Sequence, residues 1–245
     1  MNSLYLITGG SRGLGAALVK LASAQGASVL SLSRGVPPAG EHISCDLTDP
    51  DAAVEAAIAA LQRQDCRDIR EFILINNAAT LQPFGTNPAP TQIAQHMAVN
   101  LVAPIALAQA FSKALAAANA RKLVVNVSSG AATKPLYGWG LYCAAKAGLE
   151  HFARTFAVEQ AKALHPVDIV NVNPGVMDTG MQTTIRSLTV EEFPDVGRFK
   201  QFYENNELAT PDQVAAMFLQ GISLGTLYSG RTVAVREFAS GGTGS

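Results

Sequence analysis

The feature that most constrains the fold of this chain is a regular alternation of two kinds of segment. Short apolar runs rich in β-branched residues are separated by longer Ala-rich segments whose apolar residues recur at helical spacing, as in GAALVKLASAQG. Strands that alternate with helices form βαβ units, which assemble into a parallel sheet covered on both faces. We therefore predict the α/β class, with one doubly wound parallel sheet and helices on both faces. The strand-like runs are LYLIT, SVLSLS, FILINN, KLVVNVSS, VDIVNVNPG and TVAV.

Length and charge set limits on the class of protein. The 245 residues are 48% hydrophobic and carry a formal net charge of -1, so a large core is possible and nothing favours nucleic acid. No linker-like tract or internal repeat divides the chain, which predicts one domain over residues 1–240. The N-terminus lacks the basic region of a signal peptide, and the apolar run LVAPIALAQAF is short and broken by Pro104. We expect a cytoplasmic protein without a nucleic-acid or membrane partner.

The cysteines do not indicate a metal site. Cys45, Cys66 and Cys143 are odd in number and show no CxxC spacing, which argues against a disulfide framework and against zinc. Small buried thiols in a reducing compartment are the favoured interpretation, and no metal ligand is predicted.

Two segments depart from the alternation. Residues 177–210 are polar and irregular, and a long insertion late in an open α/β sheet often covers the ligand crevice. We predict that this segment covers the substrate. The C-terminal residues 241–245 are predicted to be a flexible tail from their composition alone.

The first chemical signal is the turn TGGSRGLG, residues 8–15, between the first strand and the first helix. Gly9, Gly13 and Gly15 allow the backbone to turn tightly and to approach a pyrophosphate, for which the helix N-terminus offers free N–H groups. Three glycines can also form a simple turn, and their spacing differs from G-x-G-x-x-G. The strand-turn-helix context favours a Rossmann-like dinucleotide site.

The residues after the second strand indicate which dinucleotide is bound. NAD sites usually carry an acidic residue there, whereas this chain has Ser33 and Arg34. Arg12, within the glycine turn, is predicted to reach the same corner, and a guanidinium binds phosphate through a fork of donors. Each Arg alone could equally be a solvated surface charge. Together they favour the 2′-phosphate of NADP(H).

Tyr142 and Lys146 lie one helical turn apart in LYCAAKAGLE and therefore share a helix face. A free tyrosine has a pKa of about 10, which a cation within a few ångströms lowers by roughly 1 to 3 units. Such a pair can exchange a proton with a carbonyl or alcohol oxygen while a nicotinamide exchanges hydride. The alternative is a half-buried Tyr with a snorkelling Lys. The nucleotide turn and the strand ending in NVSS favour the catalytic interpretation.

These motifs, with NNAA at 76–79 and NPGVMDT at 173–179, resemble the short-chain dehydrogenase/reductase family over nearly the whole chain. The resemblance implies that Tyr142 is the acid-base residue, that Lys146 tunes it and holds the nicotinamide ribose, and that Asn100 serves a proton relay. It also implies that Ser129 binds the substrate oxygen, because the family's serine precedes the tyrosine by thirteen residues. Neighbouring strand residues face opposite ways, so Ser128 is excluded. The family usually has Gly where this chain has Ala79. The implied cofactor contacts are Gly9, Ser11, Arg12, Gly13, Leu14, Gly15, Arg34, Asp46, Leu47, Asn76, Tyr142, Lys146, Pro174, Gly175, Val176 and Thr179.

Within the family, PLYGWGLYCAAKAGLE and NPGVMDTGMQTTIR resemble the sepiapterin reductase branch, which includes microbial relatives that reduce benzil and similar aryl diketones. That branch implies a dicarbonyl substrate, NADPH and a homodimer or homotetramer. Its acidic pterin anchor in the last strand is missing here, since Ala234 lies about where it belongs and Glu237 is too far along. The predicted substrate pocket suits a flat apolar diketone, although aromatic residues before a helix are often core packing. Its residues are Leu136, Tyr137, Trp139, Met177 and Met181.

We therefore expect an NADPH-dependent carbonyl reductase that acts on an aromatic or vicinal dicarbonyl. The alternative enzymes are a sepiapterin or pterin reductase and a less selective reductase of ketones or 3-oxoacyl groups. A dinucleotide-binding redox sensor is the alternative outside the enzymes. A sensor does not need the catalytic set of Ser129, Tyr142, Lys146 and Asn100. Consumption of the cofactor in the presence of a diketone distinguishes an enzyme from a sensor.

Overall fold

The computed structural model describes residues 2–225 and 229–241. Apart from Gly241, the predicted flexible tail lies outside these residues. Within them the chain forms one domain with a seven-stranded sheet in which every neighbouring pair is parallel, in the order β3-β2-β1-β4-β5-β6-β7. The predicted α/β, doubly wound, Rossmann-like class is confirmed. The strands are β1 (Ser3–Thr8), β2 (Ser28–Ser33), β3 (Glu41–Ser44), β4 (Glu71–Asn76), β5 (Arg121–Val127), β6 (Asp168–Asn173) and β7 (Thr232–Ala234).

Helices cover both faces of the sheet, and two of them are joined by a π-helical turn. A short 3₁₀ turn, Gly130–Ala132, follows β5. The helices are α1 (Gly13–Ala24), α2 (Pro50–Gln62), α3 (Pro90–Met97), the π turn (Ala98–Val102), α4 (Ala103–Ala114), α5 (Gly140–Gln160), α6 (Gly180–Arg186), α7 (Val196–Glu204), α8 (Pro211–Leu224) and α9 (Val235–Ser240).

The core has two layers, one on each face of the sheet. On one face α1, α8 and α9 bury residues such as Leu18 and Phe218 against the strands. On the other face α2, α4 and α5 bury residues such as Phe111 and Phe156. Both faces of the strands are therefore apolar, which explains why the strand segments read as near-continuous hydrophobic runs.

The stretch Pro90–Ala114 runs as one helix through the π turn, so Pro104 does not break it. It spans 25 residues and contains a window of mean hydropathy 1.3, so in the described part of the chain it alone is long and apolar enough to cross a membrane. Core helices of soluble proteins pass the same test. Leu107, Ala108 and Phe111 are buried in the core here, so length and composition are a weak indication of a membrane span.

A row of hydrogen-bonded polar side chains crosses four strands inside one core layer. The Asn76 amide donates to Asn126 (2.9 Å), the Asn126 amide to Asn171 (3.0 Å), and the Asn171 amide to the Thr232 hydroxyl (3.3 Å). These residues are direct partners on β4, β5, β6 and β7. Because buried amides need partners, the row favours this register over a one-residue slip.

Candidate active site

A crevice of about 1320 Å³ opens at the carboxyl ends of the strands. It lies where the strand order reverses, since β1 has β2 on one side and β4 on the other. Open α/β sheets bind ligands at this switch point. One end of the crevice is bounded by the glycine turn and the end of β2, and the other by α5 and residues of 177–210.

The glycine turn is shaped for close backbone approach. Gly9 and Gly13 have φ of 70° and 54°, in the left-handed region that favours glycine. A Cβ on Gly15 would lie 2.1 Å from the carbonyl oxygen of Gly9 and 2.5 Å from Nδ2 of Asn77, so this position admits glycine alone without a shift. A Cβ on Gly13 would have its nearest neighbour 3.5 Å away, so the turn is open towards the crevice. These features fit a dinucleotide pyrophosphate.

Charged side chains lie at the end of the crevice that is bounded by the glycine turn and β2. Arg12, Arg34 and Asp46 all line it. Nη1 of Arg34 is 3.9 Å from the Asp46 carboxylate, and the Arg34 side chain is 75% exposed. The pKa of Asp46 is lowered, first by the backbone N–H of Thr48, which donates to Oδ1 at 3.0 Å. Asp46 is therefore a carboxylate, and both Arg side chains lie on the side of the crevice where the sequence predicted them.

Ser129, Tyr142 and Lys146 converge at the end of β5. Tyr142 and Lys146 lie on the buried face of α5, and all three residues line the crevice. The ammonium of Lys146 donates to the backbone carbonyl of Val127 at 2.8 Å and lies 5.7 Å from the centre of the Tyr142 ring. Ser128 also borders the crevice, but its hydroxyl is directed into α5, where it donates to Glu150 at 2.5 Å. The Ser128 hydroxyl is therefore engaged by Glu150, and Ser129 is the serine whose side chain interacts with Tyr142.

The pKa values of Tyr142 and Lys146 differ from those expected from the sequence. Burial raises the pKa of Tyr142 to about 12, although a hydrogen bond from Ser129 lowers it. The sequence predicted that Lys146 would lower this pKa, but its ammonium is directed towards Val127, and burial dominates. Burial also lowers the pKa of Lys146 to about 8, against the charge of Glu150, which raises it. At neutral pH Tyr142 is therefore a phenol that can give a proton, and Lys146 is mainly an ammonium.

Asn100 lies in the π turn between α3 and α4. Residue 104 is proline and has no N–H for the carbonyl of Asn100, so a regular α-helical bond is impossible there. Such π turns frequently occur at functional sites. The Asn100 side chain exchanges two hydrogen bonds with the backbone of Thr80, at 2.9 and 3.0 Å. It is 1% exposed and does not line the crevice, so it positions the loop after β4.

The end of the crevice that is formed by α5 and residues 177–210 is aromatic. Trp139 stacks on Phe193 at 4.9 Å between ring centres and contacts Tyr142 edge-to-face at 5.9 Å. Phe199 and Phe202, from α7, also line the crevice. Leu136, Trp139, Met177 and Met181 line it as predicted. The aromatic residues of 177–210 were not predicted from the sequence, although Phe199 and Phe202 have helical i, i+3 spacing.

His96 is a further residue that sequence reasoning missed. It is buried beside Tyr142, with ring centres 6.3 Å apart, and its Nδ1 lies 2.8 Å from the carbonyl of Gln82. Burial lowers the pKa of His96, so the ring is neutral at pH 7. Its place four residues before Asn100 on the same helical stretch was the available signal.

Three predicted contacts do not line the crevice. Tyr137 is 56% exposed and outside the crevice, because the chain reverses at Gly138, whose φ is 74°. The Asn76 side chain is buried in the amide row and also donates to the carbonyl of Pro104, so Asn77 lines the crevice instead. Gly15 lies beneath the turn and acts through backbone packing.

Residues 177–210 are closed at their base by backbone pairing. The N–H of Asp178 donates to the carbonyl of Ala209 at 3.0 Å, and the N–H of Ala209 to the carbonyl of Val176 at 3.3 Å. Met177 and Ala209 form an isolated parallel bridge. We call Val176, Met177, Asp178 and Ala209 the neck. The segment above the neck contains α6 and α7, which are joined by a hydrogen bond from Gln182 to the carbonyl of Phe199.

A dinucleotide crevice at the switch point, with a Ser, Tyr and Lys set beside it, defines an oxidoreductase that acts on carbonyl or hydroxyl groups. Residues 3–189 match the family model described as short chain dehydrogenase. The chain belongs to this family, whose members use a nicotinamide dinucleotide.

Named relatives agree with a carbonyl reductase role. A benzil reductase ((S)-benzoin forming) of Bacillus subtilis is 37% identical over 242 residues, which cover 96% of this chain and 99% of the relative. A sepiapterin reductase of Meriones unguiculatus is 30% identical over 94% of this chain and 95% of the relative. The crystal structure of the KRED1-Pglu enzyme superposes with a TM-score of 0.81 at 26% identity, covering 95% of this chain and 100% of that one.

Proposed function

We propose that the protein is an NADPH-dependent reductase that converts one carbonyl of an aromatic or vicinal dicarbonyl, such as a benzil-like diketone, to the hydroxyketone. The observation that carries the proposal is the aromatic group formed by Trp139, Phe199 and Phe202, which line the crevice beside the phenol of Tyr142. Flat aryl groups pack well against such rings. The similarity to a benzil reductase supports the same substrate class.

The residues at the crevice have distinct roles in the proposed reaction. Bound NADPH would supply the hydride for the carbonyl carbon. Tyr142, a phenol at neutral pH, gives its proton to the carbonyl oxygen, which Ser129 binds by a hydrogen bond. Lys146 holds the nicotinamide ribose, and its ammonium keeps a positive charge beside Tyr142 after the proton has left. Residues 177–210 cover the substrate, because Met181 and Phe199 of this segment line the crevice.

The charges of the substrate end favour a diketone over a pterin. Pterin selectivity needs a buried acidic partner for the ring N–H groups. Among the described residues that line the crevice, Asp46 is the one carboxylate, and it lies at the adenosine end. Asp178 forms an ion pair with Arg186 at 3.7 Å, and Glu237 with Arg231 at 3.8 Å.

We predict that benzil or 1-phenyl-1,2-propanedione is reduced with a kcat/KM well above that for sepiapterin. Reduction stops at the hydroxyketone, because a tetrahedral carbon fits less well between aromatic rings than a planar diketone does. The measurement is NADPH oxidation across a carbonyl panel, with direct competition of the two substrates and chiral analysis of the product. A clear preference for sepiapterin would contradict the diketone proposal. NADPH binding without turnover on any carbonyl would favour the redox sensor.

The preference for NADPH rests on Arg34 and Arg12. Arg34→Ala is expected to weaken NADPH binding about tenfold and to leave NADH almost unchanged, since a bond to a charged group contributes about 1.5 kcal/mol or more. Dissociation constants from nucleotide fluorescence test this. Arg67→Ala is the matched control, because Arg67 is an exposed partner of Asp65 and lies outside the crevice. Equal losses for both nucleotides would show that Arg34 does not contact the 2′-phosphate.

We further propose that the protein acts in the cytoplasm as a homodimer, as the resemblance to the sepiapterin reductase branch implies. Light scattering of the purified protein should give twice the mass of one chain, 25.6 kDa. The mass of one chain would exclude the dimer, and four times that mass would indicate a homotetramer.

A further inference from the structure

Helix α5 contacts the end of β5 through three residues that lie one helical turn apart. Tyr142 is hydrogen-bonded to the side chain of Ser129. Lys146 donates to the carbonyl of Val127, and Glu150 accepts from the hydroxyl of Ser128 at 2.5 Å. The proposed reaction uses Tyr142 and Lys146 and leaves Glu150 without a role.

The burial of Glu150 requires an explanation. Its side chain is 6% exposed, and a buried carboxylate is costly unless it is hydrogen-bonded and paired with a cation. The short bond from Ser128 is typical of a hydroxyl that donates to an ionised carboxylate. The nearest cation along the helix is Lys146, one turn before it and 2% exposed. Glu150 therefore lies on the same helix face as the active-site ammonium, one turn away, and its charge raises the pKa of Lys146.

We propose that Glu150 is a positioning residue that keeps Lys146 protonated and anchors the active-site turn of α5 to the end of β5. Glu150 touches neither the crevice nor a reacting atom. It acts through Lys146, whose positive charge the proposed function needs, and through Ser128, the neighbour of Ser129. The effect of Glu150 on catalysis rests on the proposed function, whereas its effect on the protonation of Lys146 rests on the structure alone.

Few charged groups face Lys146 from the described residues packed against it. Helix α5 contributes Tyr142 and Glu150, and α3 contributes His96, whose pKa is lowered in part by the charge of Lys146. The strand β5 contributes the carbonyl of Val127. His96 and Tyr142 are neutral at pH 7, so Glu150 is the charged group that offsets part of the cost of burying the ammonium.

The first experiment measures the ionisation of Lys146 without substrate. Lysine labelled with ¹³C at Cε is titrated by NMR, and the Lys146 signal is assigned from its loss in Lys146→Met. In the wild type we expect a midpoint of about 8. Glu150→Gln, which still accepts a hydrogen bond from Ser128, should lower the midpoint by about one unit or more. An unchanged midpoint would overturn the proposal.

Matched variants separate charge from packing. Glu159→Gln makes the same charge change at an exposed position of α5 and should leave the Lys146 midpoint at its wild-type value. Glu150→Asp retains the charge and should return the midpoint towards the wild-type value. A shift of the same size in Glu159→Gln would show that the effect is not specific to Glu150.

A double variant keeps the test decisive even where Glu150→Gln alone does not fold. Lys146→Met leaves the Glu150 carboxylate buried without its cation, which is strongly destabilising. Adding Glu150→Gln removes that charge, so the double variant should unfold at higher urea than Lys146→Met alone. A double variant that is less stable than Lys146→Met would contradict the pairing.

The second experiment measures catalysis. In Glu150→Gln the alkaline limb of the kcat/KM profile should move to lower pH with the Lys146 midpoint, so activity lost at pH 8 returns at pH 6. An equal loss at both pH values would indicate a structural role and overturn the proposal. If the wild type reduces no carbonyl, the proposed function fails, while the NMR titration still decides the role of Glu150.

Discussion

Tyr142→Phe is expected to lower kcat by roughly 10²- to 10⁴-fold and to leave the affinity for NADPH nearly unchanged, because it removes the proton donor alone. The phenyl ring can keep the edge-to-face contacts with Trp139 and His96, which do not involve the hydroxyl. Steady-state rates with a diketone give kcat, and nucleotide fluorescence gives the dissociation constant.

Two further variants show whether the loss of rate in Tyr142→Phe is due to the missing proton donor. Tyr137→Phe is the matched control, since Tyr137 is exposed and outside the crevice, and it should keep the wild-type rate. Lys146→Met should lose both rate and cofactor affinity, because Lys146 is proposed to hold the ribose as well as to supply charge. A Tyr142→Phe variant with a near wild-type rate would remove Tyr142 from the proposed mechanism.

Gly15→Ala is expected to weaken binding of either nucleotide by roughly 10²-fold and to lower the melting temperature. The new Cβ would lie 2.1 Å from the carbonyl oxygen of Gly9, which is backbone and cannot rotate away. The turn must open, and overpacking of this kind costs about 1 to 3 kcal/mol. Since about 1.4 kcal/mol is tenfold in affinity, the upper end of that range gives the expected loss.

Gly197→Ala is the control for a glycine-to-alanine change. Gly197 is the second residue of α7, and an added Cβ would meet nothing within 4 Å, so alanine should fit without strain and leave the stability unchanged or slightly higher. Melting curves and NADPH titrations of both variants make the comparison. Wild-type affinity in Gly15→Ala would show that the glycine turn does not shape the nucleotide site.

The fold was predictable because its signals are local and repeated. Six of the seven strands coincide with the apolar runs, since strands buried on both faces are mostly apolar even where they carry the buried amide row. Strand β3, Glu41–Ser44, was missed because it is a short edge strand with one buried residue, Ile43. Nothing in its hydrophobic pattern distinguishes such a strand from a loop.

The site was predictable where its residues are close in sequence. The glycine turn and the pair Tyr142 and Lys146 are defined by spacing within one turn or one helix. The roles of Glu150 and Phe193 depend on contacts between distant segments, so no local pattern predicts them. The direction of the Tyr142 pKa was wrong for the same reason, since burial is a tertiary property.

Because of the neck, the residues between Asp178 and Ala209 can change without altering the rest of the fold. The backbone bonds of the neck join Val176 and Asp178 to Ala209, so the sheet and α8 meet the same two chain ends whatever lies between them. The entropy of closing a loop grows slowly with its length. Insertions, deletions and exchanges above the neck can therefore change the shape of the pocket while Tyr142 and the glycine turn stay fixed. In evolutionary terms the segment is a module, and new substrates can be acquired there without rebuilding the machinery that transfers hydride.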